Sequence, residues 1–332
     1  MSVYIIAEVG QAHDGSLGIL HSYIDALALT GINAIKFQTH IADAESSEFE
    51  TFRTNFSYED KSRYQYWKRM EFSLSQWQEI KTHCKNVGLD FISSPFSNKA
   101  VDLLEIIGVD IYKIGSGEIS NLLMLEKIAR TGKSVILSSG LSDFNELDEA
   151  VDLLNSFDIE TSILQCTTNY PTKAENIGLN VIYEIRERYN LPVGISDHSG
   201  KIFSSLAATT LGASIIEFHV VFNRKMFGPD SSSSIEIDEI PELVKGINFI
   251  DKALNNPVQK DQNNQKKLKQ IFGKSLSINK DLKKGTIISF DDLESKKPEG
   301  KGIPAKLYKE IIGRQVNKDL FQWNFLNYDD IL

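Results

Sequence analysis

Two histidines and two lysines stand inside or at the ends of short apolar runs, where they could hold a metal ion and an anion. His198 follows the run in LPVGISDHS, and His219 lies near the end of SIIEFHV. Two neutral imidazoles with little else around them suit a divalent metal that keeps positions open for water and substrate. Asp197 could orient one ring. A lone strand-end histidine is more often a hydrogen-bonded core residue, but two on neighbouring strands favour the metal. Lys36 in AIKFQT and Lys113 in IYKIGS each interrupt an apolar run. A lysine there is costly to bury without an anionic partner. With Ser94, Ser116, Ser138 and Ser196 nearby, the pair reads as a pocket for phosphate and carboxylate. One lysine alone could instead form a Schiff base, although the serines favour anion binding. Glu118 emerges past Lys113 after a GSG turn, where it would face the same anion as a general acid or base. Asp14 and Asp230 read by themselves as loop acids, and Gln11 and His13 in the first loop could contact a sugar. GSGEIS lacks the last glycine of a dinucleotide fingerprint and falls in the fourth unit of the pattern.

Positioning such groups is the work of a regular scaffold. Eight apolar segments recur over the first 220 or so residues: VYIIAEV, NAIKFQT, LDFISS, VDIYKIGSGE, SVILSSG, TSILQCT, LPVGISDHS and SIIEFHV. Amphipathic stretches of helical length separate them, as in IDALALTGI, KAVDLLEIIG and DEAVDLLNSF. Strand and helix in alternation imply parallel strands with crossover helices. Eight such units predict an α/β protein with a (β/α)8 TIM barrel over residues 1–254, its reactive groups at the C-terminal strand ends. The connection from His40 to Leu74 is long and rich in aromatic and charged residues, as expected of a lid, or of a surface excursion with its own small cluster. A polar stretch beginning NNPVQKDQNNQKK marks a linker over residues 255–269. Residues 270–332 form a second module. Within it INKDLKKGTIISFDDL at 278–293 is echoed by VNKDLFQWNFLNYDDI at 316–331, which predicts pseudo-twofold symmetry. The turn glycine of the first copy, Gly285, is Trp323 in the second, so positive φ should be harder to reach there.

Composition narrows the function classes. A chain of 332 residues with 41% hydrophobic and 24% charged content can bury a sizeable core. A net charge of −9 argues against a general nucleic-acid surface. Cys84 and Cys166 form no CxxC or disulfide framework, which fits a reducing, cytoplasmic setting. Neither a basic-apolar leader nor a bilayer-length apolar run is present.

The runs AEVGQAHDGS, IKFQTH, SSPFS, YKIGSGE, LSSG, CTTNYP, GISDHS and EFHV, taken in order, resemble the sialic acid synthase (N-acetylneuraminate synthase, nonulosonic acid synthase) family. KDLKKGTIISFDDL, KKPEGKGIP and EIIG resemble its C-terminal antifreeze-like (SAF, β-clip type) domain. The resemblance implies a transferase that condenses phosphoenolpyruvate with N-acetylmannosamine or a related N-acetylated aldose, giving a nine-carbon keto acid and phosphate. It implies a divalent ion, Mn2+ with Mg2+ or Co2+ as alternatives, on His198 and His219. Lys36, Ser94, Lys113, Ser116, Ser138 and Ser196 become phosphoenolpyruvate contacts. Gln38, Asp14, Tyr170 and Asp230 fall where the family holds metal-linked water or the sugar, and Glu118 where it keeps an essential glutamate. With Glu118, Asp14 and Lys113 form the expected catalytic set. The implied assembly is a domain-swapped homodimer, with the antifreeze-like domain of one chain covering the other's barrel.

Three departures bear on the sugar. Lys297-Pro298 replaces an Arg-Pro pair that reaches the acetamido group, Asp14 replaces a longer glutamate, and Thr168 replaces an asparagine. An alternative acceptor is therefore a 2,4-diacetamido-2,4,6-trideoxyhexose, giving a legionaminic or pseudaminic acid. A Schiff-base aldolase on Lys113 and a non-catalytic carbohydrate-binding homologue are the remaining readings.

Overall fold

The computed structural model describes residues 2–54, 56–260 and 265–332. The chain divides into two compact units, residues 1–257 and 258–332.

In the first unit eight parallel strands close into a barrel: β1 (Tyr4–Glu8), β2 (Ala34–Thr39), β3 (Asp90–Pro95), β4 (Ile111–Ile114), β5 (Ser134–Ser138), β6 (Thr161–Cys166), β7 (Val193–Asp197) and β8 (Ile215–Val221). They pair in chain order, and β1 also pairs with β8. A short strand, β9 (Ile235–Glu236), pairs in parallel with the end of β8 at Val220 and Val221. Helices follow the strands and are capped by the local sequence. Asp143 and Glu146 form a capping box at the start of Phe144–Asn155, and Ser73 with Gln76 does the same for Leu74–Asn86. Gly108 ends Asn98–Ile107 in the left-handed conformation. The buried helix faces pack on the outside of the barrel in one extended cluster that includes Tyr23, Phe37, Trp77 and Phe218.

The strand period decides what lies inside. Ile6, Ala34, Ile92, Ile136, Leu164 and Ile215 form a separate apolar cluster. Two residues further along each of those strands come Glu8, Lys36, Ser94, Ser138, Cys166 and Glu217, all buried. A repeat of two keeps both sets on the inner face, so a polar layer sits directly above an apolar floor. On β7 the same register places Gly194, then Ser196. A Cβ at Gly194 would run into the carbonyl oxygen of Ile215, so a side chain there would force β7 and β8 apart.

In the second unit β10 (Ser275–Ile278) pairs antiparallel with β11 (Leu293–Lys296) over a core that includes Leu276, Ile278, Ile303 and Leu326. The internal echo is a structural repeat. Leu282 and Leu320 exchange backbone hydrogen bonds of 2.9 and 2.8 Å. Lys280 pairs with Asp292 and Lys318 with Asp330, and the amides of Asn279 and Asn317 donate to Asp291 O and Asp329 O, each at 2.8 Å. The expectation for the second turn is corrected: Trp323 has φ +69°, close to the +90° of Gly285. The bond from Trp323 N to Ile278 O at 2.8 Å and the matching bond from Gly285 N to Val316 O at 2.7 Å hold both turns in one shape. A non-glycine residue there costs about 1–2 kcal/mol. Of the expected linker, residues 261–264 lie outside the described residues, and from Lys266 the chain is helical (Lys266–Phe272).

Candidate active site

The polar layer opens into a cavity of about 360 Å3 at the C-terminal ends of the strands. Two buried lysines and two buried carboxylates form its floor. The Lys36 ammonium pairs with Glu8, lies 3.7 Å from Glu217 Oε1, and donates to Ser94 Oγ at 3.3 Å. Lys113 Nζ is 3.2 Å from Glu217 Oε1, which also accepts from Ser196 Oγ at 2.9 Å. The Gln38 amide donates to Glu8 Oε1 at 2.5 Å. Burial opposes the charge on Glu8, yet Lys36 above all, with His219 and Lys113, holds its carboxyl far below the usual range. Burial likewise opposes the Lys36 charge, but Glu217 and Glu8 raise its pKa. For Lys113 the balance reverses: burial, reinforced by Lys36, outweighs Glu217 and lowers it.

Several buried polar atoms here make no hydrogen bond among the described residues. They are Ser138 Oγ, Thr168 Oγ1 and Glu217 Oε2, on three residues that all line the cavity. Since buried polar groups are nearly always paired, these atoms mark places where a polar ligand would be received.

The two histidines converge. Their ring centres lie 5.2 Å apart, and both line the cavity. His198 Nδ1 lies 3.0 Å from Thr167 O, so that nitrogen carries a proton, and Nε2, 3.2 Å from Tyr170 Oη, is the atom left to face a ligand. His219 Nε2 is 4.0 Å from Glu8 Oε2. Among the described residues no set of three or more His, Cys, Asp and Glu side chains converges as ligands. Two imidazoles with ring centres 5.2 Å apart fit an ion whose other positions are left to water and substrate.

Of the residues singled out by sequence, Lys36, Gln38, Ser94, Lys113, Ser116, Glu118, Ser138, Tyr170, Ser196, His198, His219 and Asp230 all line this one cavity. Glu118 is partly buried, which raises its carboxyl pKa, and it accepts from Asn121 Nδ2 at 2.8 Å. Asp14 does not line the cavity: Arg69 Nη1 takes its carboxylate at 2.5 Å. His13 does not either. It is buried against Phe72 and accepts from Gly15 N at 3.0 Å, a turn-forming role rather than a sugar contact. Lys297 belongs to the second unit, where its ammonium lies 5.1 Å from the ring centre of Phe272.

The loop from His40 to Leu74 combines both expectations for it. It has its own cluster around Tyr66, Trp67 and Met70, and it lines the cavity with Glu45, Glu50, Arg53, Arg63, Tyr66 and Trp67. Sequence reasoning passed over Glu217 and the ion-pairing part of Glu8. In IIEFHVV, Glu217 stands two residues before His219, so strand period alone puts both on the inner face. Arg53 left no such signal.

Comparison with known proteins fits this geometry. Residues 23–259 match the model of the NeuB family. The chain belongs to the NeuB family. It is 35% identical to an N,N'-diacetyllegionaminic acid synthase of Campylobacter jejuni, over 95% of this chain and 96% of that protein. It is 30% identical to the N-acetylneuraminate-9-phosphate synthase of Homo sapiens, over 94% of this chain and 88% of that one. Among solved structures, an N-acetylneuraminic acid (sialic acid) synthetase of Leptospira borgpetersenii in complex with citrate superposes with a TM-score of 0.72 at 31% identity, covering 81% of this chain and 90% of that chain. This NeuB-family chain is thus an enzyme, and no helix among its described residues is long and apolar enough to cross a membrane.

Proposed function

We propose that this enzyme condenses phosphoenolpyruvate with an uncharged N-acetylated aldose, N-acetylmannosamine or a diacetamido-trideoxyhexose, to give a nonulosonic acid and phosphate. The observation that carries the reading is one floor holding Lys36 and Lys113 beside the unpaired hydroxyl of Ser138 and the paired histidines. Phosphoenolpyruvate, with a phosphate and a carboxylate, suits two lysines and a ring of serine hydroxyls. His198 and His219 would hold the divalent ion, with Mn2+ the first choice. Bound there, such an ion supplies Lewis-acid polarisation of the aldehyde oxygen.

The chain's own groups do the rest. The lysines balance the phosphate and carboxylate as the methylene carbon bonds to the aldehyde carbon, and they are fixed in place beforehand by Glu8 and Glu217. Water adds to the carbon that bore the phosphate, and the phosphate leaves. Glu118, with its raised pKa, is suited to move the proton of that water.

The loop residues argue for an uncharged acceptor. Arg53 pairs with Asp230 at 2.8 Å, Arg63 lies 3.4 Å from Glu50, and Glu45 holds His40 at 2.6 Å. Three carboxylates against two arginines leave the outer lining with no surplus cation for a sugar phosphate among the described residues. A lowered Lys113 pKa is also what a Schiff-base lyase requires, so borohydride trapping of pyruvate separates that reading from condensation.

The test is phosphate release from phosphoenolpyruvate with Mn2+ and one aldose at a time, with the product weighed by mass spectrometry. Release that depends on one aldose and yields its three-carbon-extended acid is expected. Phosphoenolpyruvate left intact with every aldose, or pyruvate trapped on Lys113 by borohydride, would overturn the reading. The name of the Campylobacter jejuni relative makes the diacetamido sugar the first to try. A homodimer, as the family resemblance implies, is tested by light scattering.

A further inference from the structure

Arg53 comes from no strand, yet it joins three loops over the cavity. It lies in the long segment after β2. Its Nη2 donates to Asp230 Oδ1 at 2.8 Å and to Pro229 O at 3.4 Å, both in the segment after β8. Its guanidinium carbon sits 3.9 Å from the ring centre of Tyr170, in the segment after β6. Arg53, Tyr170 and Asp230 all line the cavity. A planar group held at Nη2 and on one face keeps a fixed orientation, so little freedom remains to be lost when a ligand arrives.

What the group still offers follows from its donor inventory. A guanidinium carries five N–H donors, and the bonds to Asp230 and Pro229 use only Nη2. Nε and Nη1, which lie on opposite sides of the group and do not share an edge, make no hydrogen bond among the described residues. Asp230 already balances the charge. Those two nitrogens therefore present directional donors beside a balanced charge, which suits a neutral oxygen better than an anion.

We propose that Arg53 is a specificity-determining residue for the acceptor. An N–H of Nη1 or Nε donates to a hydroxyl or acetamido oxygen of the aldose, and the grip of Tyr170 and Asp230 on the group sets the orientation in which it does so. This inference rests on the condensation reading above.

The experiment compares wild type, R53K, D230N and the double variant R53K/D230N, measuring phosphate release with KM determined separately for each substrate. Lysine keeps the charge but loses the plane and the fork. R53K should raise the acceptor KM about tenfold while the phosphoenolpyruvate KM stays within about twofold. The double variant should lose less than the product of the two single losses, because each single change already breaks the clamp. Three results would overturn the inference: an R53K acceptor KM within about twofold of wild type, both KM values rising together as a loosened loop would cause, or fully multiplicative losses. These are failures of Arg53 alone, since wild type still turns over. A wild type that releases no phosphate with any aldose overturns the condensation reading, and the inference with it.

Discussion

Replacing Glu8 by Gln tests the floor of the site. Glu8 and Lys36 are each about 2% exposed, and they pair directly. Removing one partner of a buried ion pair costs roughly 3–5 kcal/mol, because the other charge stays buried and uncompensated. Here Glu217 remains 3.7 Å from Lys36, so the lower end applies, about 3 kcal/mol. The assay is urea denaturation followed by tryptophan fluorescence, in which Trp67 and Trp77 report on the barrel unit and Trp323 is silenced by a common W323F background. For a unit of this size the loss corresponds to a fall in Tm of about 6–12 °C. The double variant E8Q/K36M, with both charges gone, should regain most of the loss. An E8Q barrel within about 0.5 kcal/mol of wild type would refute the ion-pair account. So would a double variant less stable than E8Q.

Three other outcomes are expected. Burial, with His40 and Arg69 nearby, pushes His13 down to about 3, below its ordinary 6.5. A depressed folded pKa means that the unfolded chain takes up the proton first. The stability His13 contributes is therefore present above pH 6.5 and lost towards pH 3, at about 1.4 kcal/mol per pH unit. Between pH 7 and 5, urea titration should show wild type losing about 2 kcal/mol more than H13N, which keeps an acceptor for Gly15 N; equal losses would refute the assignment. H219A should fold normally but lose metal-dependent turnover and tight Mn2+ binding by calorimetry, and undiminished Mn2+ affinity would remove His219 from the metal site. S138A should leave stability within about 0.5 kcal/mol of wild type, since the hydroxyl has no partner among the described residues, while raising the phosphoenolpyruvate KM about tenfold. An unchanged KM would detach Ser138 from that substrate.

Much of this was open to reading in one dimension. Eight apolar segments alternating with amphipathic ones leave few topologies, and strand ends in such a barrel share one face, so Lys36, Lys113, His198 and His219 could be brought together on paper. The echo around Asn279 and Asn317 was legible because a repeated motif repeats its turn and its ion pair. Glu217 was within reach too, through its spacing from His219. Asp14 was not. Its fate depends on Arg69, which lies 55 residues away along the chain, and no local pattern says which of several loop acids a distant arginine will take. Arg53 is the same case from the other side, joining segments after β2, β6 and β8. Trp323 shows the limit of propensity, since long-range backbone bonds hold it where only glycine is comfortable.

The sequence by itself determined the fold, the polar inner layer and the family, because strand period and motif order are local properties that survive without coordinates. Tertiary structure alone decided the charge state of the floor and the shape of the acceptor end. Which lysine meets which carboxylate depends on the closure of β1 onto β8, and which loop side chains face inward depends on contacts between residues far apart in the chain.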